Sequence, residues 1–257
     1  MAPSPEAAKL TTEIGYTGIE LAPYTLCDVV TDLEPSDRSR IRREIEDAGI
    51  EVAGLHWLLA NTPFRLNSPD RVERQAAGNY LVELVDFCAD VGGDTMVFGS
   101  PAQRDPTDGF DPEEAWAWTV ECMRSVGERA DDRGVVFCIE PLGTSFVTWI
   151  DDAIRLVGEV DRPGFAMMVD CKAMVQDDRW SVSDQILHAH GSFHHVHVND
   201  PNRLGPGMGE LDFDPILNTL AKLDYQRWVS VEAFDFQMGR EKVARTSFEN
   251  MKRLTTT

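Results

Sequence analysis

Four residues with metal-binding side chains fall at even intervals along this chain. Glu140 follows "VVFCI", Asp170 follows "FAMMV", His197 lies within "HHVHV" and Glu232 closes "VSVE". Their separations of 30, 27 and 35 residues each match about one strand plus one helix. A carboxylate that closes an apolar strand must be offset by a cation or by strong hydrogen bonds. One such residue is easily structural, but packing does not explain four in succession. Three oxygen donors and one nitrogen, with no thiolate, favour a hard or borderline divalent cation over structural Zn2+. Mn2+ is the first expectation, with Mg2+ or Co2+ as alternatives.

The stretch "HHVHVND" (194–200) sharpens this reading. Strand alternation puts His195 and His197 on one face and Val196 and Val198 on the other. His197 is then the metal ligand, and Asn199, Asp200 and Arg203 form the rim of a pocket. His195 faces the same side one layer deeper, as a packing or supporting residue that could also reach substrate. His56 ends "IEVAGLH" and is a candidate acid or base, or an orienting group beside Trp57. Lys172 and Glu20 are weaker candidates, and Glu20 either lines the pocket or pairs with an arginine. Trp57, Phe64, Trp149 and Phe234 could wall the pocket, though most such aromatics are core. The loop "NRLGPGMGELDF" (202–213) could cradle an anion through its N–H groups. With Arg203 as the only nearby cation in the sequence, a phosphate site there is not favoured.

The elements that must carry these residues alternate along the whole chain. Strands are expected at 16–22, 50–57, 94–99, 135–140, 165–170, 193–199 and 228–234. Helices are expected at 35–49, 68–92, 111–134, 150–160, 182–191, 212–225 and 240–254. Ser68 is the expected N-cap of the second of these, with Pro69 at its first position, and Asp111-Pro112 opens the third, which stops at Gly134. Alternation without a linker predicts one parallel α/β domain over residues 1–257. A (β/α)8 barrel fits, with its chemistry at the carboxyl ends of the strands. Only seven strands are present, because the segment 1–15 reads as a helix behind a Pro-containing tail. The first strand is therefore missing or modified, the coding start lies downstream of the ancestral one, or a partner fills the gap. A doubly wound sheet is disfavoured, since no G-x-G-x-x-G follows the first strand and no G-K-[ST] occurs.

Bulk properties narrow the partners. The formal charge of −20 argues against nucleic acid or an anionic membrane. Five cysteines, odd in number and widely spaced, fit reduced thiols in a cytoplasmic protein. Cys138, two residues before Glu140, could face the barrel interior as small apolar filler. No leader and no apolar run of spanning length is evident.

Taken together, "CIEP", "MMVDCKAM", "HVHVNDPNR", "GPGMGELDF" and "VSVEAF" resemble the xylose isomerase-like TIM barrels. "GLHWLLA" and "MVFGSP" are similar to members described only as sugar phosphate isomerase/epimerases. That group includes the D-tagatose and D-psicose 3-epimerases and hydroxypyruvate isomerase. The resemblance runs from about residue 15 to the C-terminus. It implies Glu140, Asp170, His197 and Glu232 as metal ligands, Glu140 and Glu232 as the proton-transferring pair, and Arg203 as a substrate-binding residue. Catalytic Glu140, Glu232 and His56, and substrate-binding Arg203, His195 and Trp57, complete the expected site. The expected activity is metal-dependent isomerisation or epimerisation of a keto-sugar through an enediolate. Two departures touch the substrate pocket: the epimerases carry a histidine where this chain has Ala173, and a second glutamate where it has Phe146. Alternatives are lyase-type cleavage of 3-keto C-glycosides with a small partner subunit, an endonuclease IV-like nuclease, and a non-catalytic subunit with a vestigial metal site. The charge and the four-residue ligand set speak against the nuclease. A homo-oligomer is a further expectation, because a gap in the sheet exposes strand edges.

Overall fold

A computed structural model describes residues 5–107 and 109–255. The Pro-containing tail at residues 1–4 lies outside the described residues. The chain opens with α1 (Pro5–Ile14), then β1 (Gly18–Leu21), α2 (Pro35–Asp47), β2 (Glu51–Leu55) and α3 (Arg71–Asp90). Next come β3 (Thr95–Phe98), α4 (Pro101–Arg104), α5 (Pro112–Arg133), β4 (Val136–Ile139), α6 (Ile150–Val160) and β5 (Phe165–Asp170). The chain closes with α7 (Cys171–Met174), α8 (Val182–His188), β6 (Phe193–Val198), α9 (Asp214–Lys222), β7 (Val229–Val231) and α10 (Arg240–Thr255). Every expected strand and helix forms.

Local chemistry explains where the longest helices begin and end. The Asp111 carboxylate accepts from the N–H groups of Glu113 and Glu114, Pro112 presets the first turn, and Gly134 ends α5 at φ 67°. For α3 the cap is Asp70, which accepts from Val72 N–H at 2.7 Å, rather than Ser68. Ser68 sits one turn earlier, accepts from Asp70 N–H and donates to Glu73. Its hydroxyl therefore organises the approach to the helix, and the nearer carboxylate takes the cap.

The seven strands are all parallel and lie side by side in chain order, β1 to β7. Consecutive order with a helix between neighbours is the winding of a barrel and excludes the doubly wound alternative. Outside the sheet a continuous core packs Leu55, Phe98, Phe137 and Phe165 against Leu81, Leu84, Phe87 and Met123. Burying each of these large side chains contributes about 1.5–3 kcal/mol. Inside the curl, Val97, Cys138 and Met168 form a small separate cluster, which places Cys138 as interior filler.

The curl is open at one seam. Among the described residues no strand precedes α1, and β1 and β7 are the sheet's two edges. β7 is only partly buried along its length, unlike β3 and β5. At the base of the seam the Trp228 indole packs against Gly18 of β1, where no side chain could fit. α1 packs against α2 and α10. No helix among the described residues is long and apolar enough to cross a membrane.

β2 and β3 approach so closely at Gly54 that an added Cβ would overlap the Thr95 carbonyl oxygen. Gly54→Ala is expected to destabilise the chain by roughly 1–3 kcal/mol, as overpacking of a filled interior does. A denaturant midpoint equal to that of the wild type would contradict this strand approach.

Candidate metal centre

The four strand-end residues occupy one end of the sheet. Glu140 and Glu232 each follow the last residue of their strand, β4 and β7, while Asp170 closes β5 and His197 lies one residue before the end of β6. Parallel neighbours in register bring these ends together, with Asp170 paired to His197 and His197 to Ser230. Short apolar strands such as "VFCI" are buried on both faces, so the first polar residue after each meets the mouth of the curl.

His197 is the hub. Its Nδ1 lies 3.3 Å from Glu232 Oε2 and 4.0 Å from Asp170 Oδ2, and its Nε2 lies 3.0 Å from Glu20 Oε2. Asn199 is fully buried and donates to Asp170 Oδ2 at 2.6 Å, while its own oxygen accepts from Lys172 N–H at 2.9 Å. The other Asp170 oxygen caps α7 by accepting from Ala173 N–H at 2.7 Å. His56 leans in from the end of β2, with Nδ1 3.7 Å from Glu232 Oε1 and 3.9 Å from Glu20 Oε2.

The electrostatics of this cluster are strongly asymmetric. Burial, and then the charges of Asp170 and Glu232, push the Glu140 carboxyl up to about 8. Burial and the Glu232 charge raise Asp170 as well. Burial acts on Glu232 in the same sense, but His197 and His56 outweigh it and hold that carboxyl well below its usual range. For His197 burial favours the neutral ring, yet the carboxylates of Glu20 and Glu232 overcome it and raise the imidazole well above its ordinary value. Glu20 shows the converse: burial would raise it, and His197 and His195 depress it.

These observations fit a divalent cation. Asp170, His197 and Glu232 each offer a donor atom within 4.8 Å of the others. Burial, and then neighbouring carboxylates, raise Glu140 and Asp170, and a cation placed among them would offset both effects. Glu20, His195 and His197 form a second such triad, but hydrogen bonds account for it. Glu20 Oε1 meets His195 Nε2 at 2.7 Å and its other oxygen meets His197 Nε2 at 3.0 Å. Once the ring gives up its Nδ1 proton, the carboxylate on Nε2 fixes the tautomer whose Nδ1 lone pair faces Asp170 and Glu232, an arrangement typical of ligating histidines.

A cavity of about 510 Å3 opens above the cluster, lined by Glu140, Glu232, His56, Trp57, Lys172 and Phe234 among others. Arg203 lines an adjoining cavity that shares Trp57, Lys172 and Phe234. Several expectations are corrected here. His195, expected among the substrate-binding residues, is fully buried, lines neither cavity and holds Glu20. Glu20 pairs with two histidines, not with an arginine. Asp200 is fully buried, and its carboxylate accepts from the N–H groups of Met208, Gly209 and Leu211. It is therefore a clasp within the loop, and those N–H groups are not a cradle for an external anion. Phe64 stacks on Tyr80 in the core, and Trp149 lies just before α6, outside both cavities.

Two residues went unrecognised in the sequence. Arg104 is fully buried and donates to the carbonyl oxygens of Phe98 and Glu140 at 2.7 and 2.8 Å and to Ser145 Oγ at 2.7 Å. It thereby ties the end of β3 to the residue that carries the Glu140 carboxylate. Gly99 lets that carboxylate approach, since a Cβ there would overlap Glu140 Oε2. A lone arginine in "GSPAQR" carries no periodic or spacing signal. Only the fold shows that it reaches two strand ends.

The model of the xylose isomerase-like TIM barrel family matches residues 8–254, and the chain belongs to that family. A putative hydroxypyruvate isomerase of Streptomyces coelicolor is 28% identical over 236 residues, covering 85% of this chain and 81% of that protein. A D-psicose 3-epimerase of Ruminiclostridium cellulolyticum is 29% identical over 177 residues, 66% of this chain and 59% of that one. The crystal structure of D-psicose 3-epimerase with D-tagatose from Clostridium cellulolyticum superposes with a TM-score of 0.82 at 20% identity, over 100% of this chain and 94% of that one. At that identity the likeness shows the fold.

Because Glu20 and Glu232 hold His197 protonated, cation uptake at its Nδ1 must displace a proton. Affinity for Mn2+ is expected to rise between about pH 6 and 8, by up to about tenfold per unit for each proton released. Calorimetric titration in buffers of different ionisation enthalpy measures that release. A pH-independent affinity with no proton release would contradict the arrangement.

Proposed function

We propose that the chain is a divalent-metal-dependent isomerase or epimerase of a keto-sugar or similar short hydroxy-ketone. The observation that carries this reading is the placement of two carboxyls, Glu140 and Glu232, in the lining of one cavity above the Asp170, His197 and Glu232 donor cluster. Glu140 is pushed up to about 8, chiefly by burial, whereas Glu232 is held ionised by His197 and His56. Glu232 is the base that removes the proton from the carbon beside the carbonyl. Glu140 is the acid that delivers a proton to the resulting enediolate or receives one on the return path.

Glu140, Asp170, His197 and Glu232 would hold the cation, with Mn2+ the first choice for three oxygens and one nitrogen and Mg2+ or Co2+ close behind. Bound there, it would polarise the carbonyl and the adjacent hydroxyl, acidifying the C–H between them. The chain's own residues do the rest. Glu20 orients His197, and Asn199 fixes Asp170 through one of its oxygens. Trp57 walls the cavity beside His56, with ring centroids 6.4 Å apart, and His56 stands near enough to Glu232 to steady its charge. The names of the relatives support this reading, since each is an isomerase or epimerase of a short ketose or hydroxy-keto acid. The cavity volume suits a molecule of that size.

Glu232→Gln and Glu140→Gln are each expected to lower kcat on D-fructose, D-psicose or hydroxypyruvate by at least about a hundredfold with little change in KM. Proton exchange between the reacting carbon and D2O should fall in parallel. Full turnover by Glu232→Gln would exclude it as the base.

A further inference from the structure

We infer that the substrate carries an anionic group, a phosphate or a carboxylate, which docks between Lys172 and Arg203 at the rim of the cavity. The inference rests on the keto-sugar reading above and adds the substrate class. In the sequence Arg203 stands as the only cation near its loop. The fold brings Lys172 to the same aromatic ring. Lys172 Nζ lies 4.8 Å and the Arg203 guanidinium carbon 5.9 Å from the centroid of the same Phe234 ring. Both cations and the ring line a cavity of about 480 Å3 that shares Trp57, Lys172, Gln176 and Phe234 with the larger cavity over Glu140 and Glu232.

Neither cation has a carboxylate partner within ion-pair distance among the described residues. Arg38, Arg129, Arg133, Arg155, Arg179 and Arg245, by contrast, each pair with an acid. A ring face holds a cation in place without neutralising it. The two charges therefore stay available to a ligand.

The backbone beneath them is built for the purpose. Arg203 adopts φ 72°, a conformation that a non-glycine residue rarely takes unless its surroundings impose it. Its N–H donates to Asp200 O at 2.9 Å, and its carbonyl oxygen accepts from Phe234 N–H at 2.8 Å and Asp235 N–H at 3.0 Å. Arg203 and Phe234 are thus clamped together across the ends of β6 and β7. Lys172 N–H is fixed to Asn199 Oδ1, which joins the third strand end to the same frame. Glu140 and Glu232 line the larger cavity, Arg203 lines the adjoining one, and Lys172 lines both. An anionic keto-sugar would lie with its anion toward Lys172 and Arg203 and its reacting carbons toward Glu140 and Glu232. A planar fork and a flexible ammonium together suit either a carboxylate or a phosphate.

The test is calorimetric titration of the full chain with inorganic phosphate and, separately, with D-glycerate, both loaded with Mg2+ and after chelation. The chelated chain removes any contribution of the cation to anion binding and needs no turnover, so loss of this proposal and loss of the catalytic reading are distinguishable. Wild type is expected to bind at least one of the two anions. Lys172→Met and Arg203→Met should each weaken it about tenfold, while Lys222→Met on the outer surface leaves it unchanged. Tighter phosphate binding would identify a phosphorylated substrate, and tighter glycerate binding a sugar acid. Undetectable binding of both anions, or wild-type binding by either Lys172→Met or Arg203→Met, would overturn the proposal.

Discussion

The structure depends on one electrostatic constraint: four carboxylates from separate strands gather around the buried imidazole of His197. Glu20, Asp170 and Glu232 all lie within 4.0 Å of His197, and Glu140 feels its charge. Bringing such charges together out of water costs several kcal/mol for each that lacks a partner. The ring satisfies Glu20 and Glu232 at its two nitrogens, while Glu140 is left to hold a proton. The cluster is therefore balanced either by protons or by a divalent cation. That choice is what makes it useful.

The surrounding frame serves to keep this cluster from relaxing. Arg104 fixes the backbone of Glu140, Gly99 gives its carboxylate room, Asn199 holds Asp170, and Asp200 folds the loop behind Arg203. Each of these residues is buried or backbone-bound, and each sits one step away from the reacting groups. A site strained by like charges has to be over-determined by its scaffold, and the parallel register of β4 to β7 provides that. The seam lies between β1, which carries Glu20, and β7, whose end carries Glu232, and the Glu20–His197 hydrogen bond links β1 to β6.

The alternation of apolar runs and helical patterns made the architecture legible, because buried parallel strands and amphipathic helices have different periods. The same reading located Glu140, Asp170, His197 and Glu232, since each is the first polar group after a buried run or interrupts one. Residues that act through neighbours were harder to see. Glu20 lies 175 positions from His195, and nothing local in "GIELAP" shows that its partners are histidines. Asp200 looked like a rim residue because strand ends face solvent, but the Gly-rich loop folds back and buries it. Lys172 gained meaning only once the fold placed it over the ring of Phe234, 62 positions further along the chain. The position of Ser68 relative to Asp70 shows the usual ambiguity of helix starts, where two capping residues compete within three positions.

The most direct test of the central claim is the metal content of the purified chain after reloading with Mn2+, compared with His197→Ala and Glu232→Ala. If these strand ends form a cation site, wild type holds about one equivalent and both variants lose it. A wild-type chain that retains no metal, or variants that keep the full equivalent, would contradict the account.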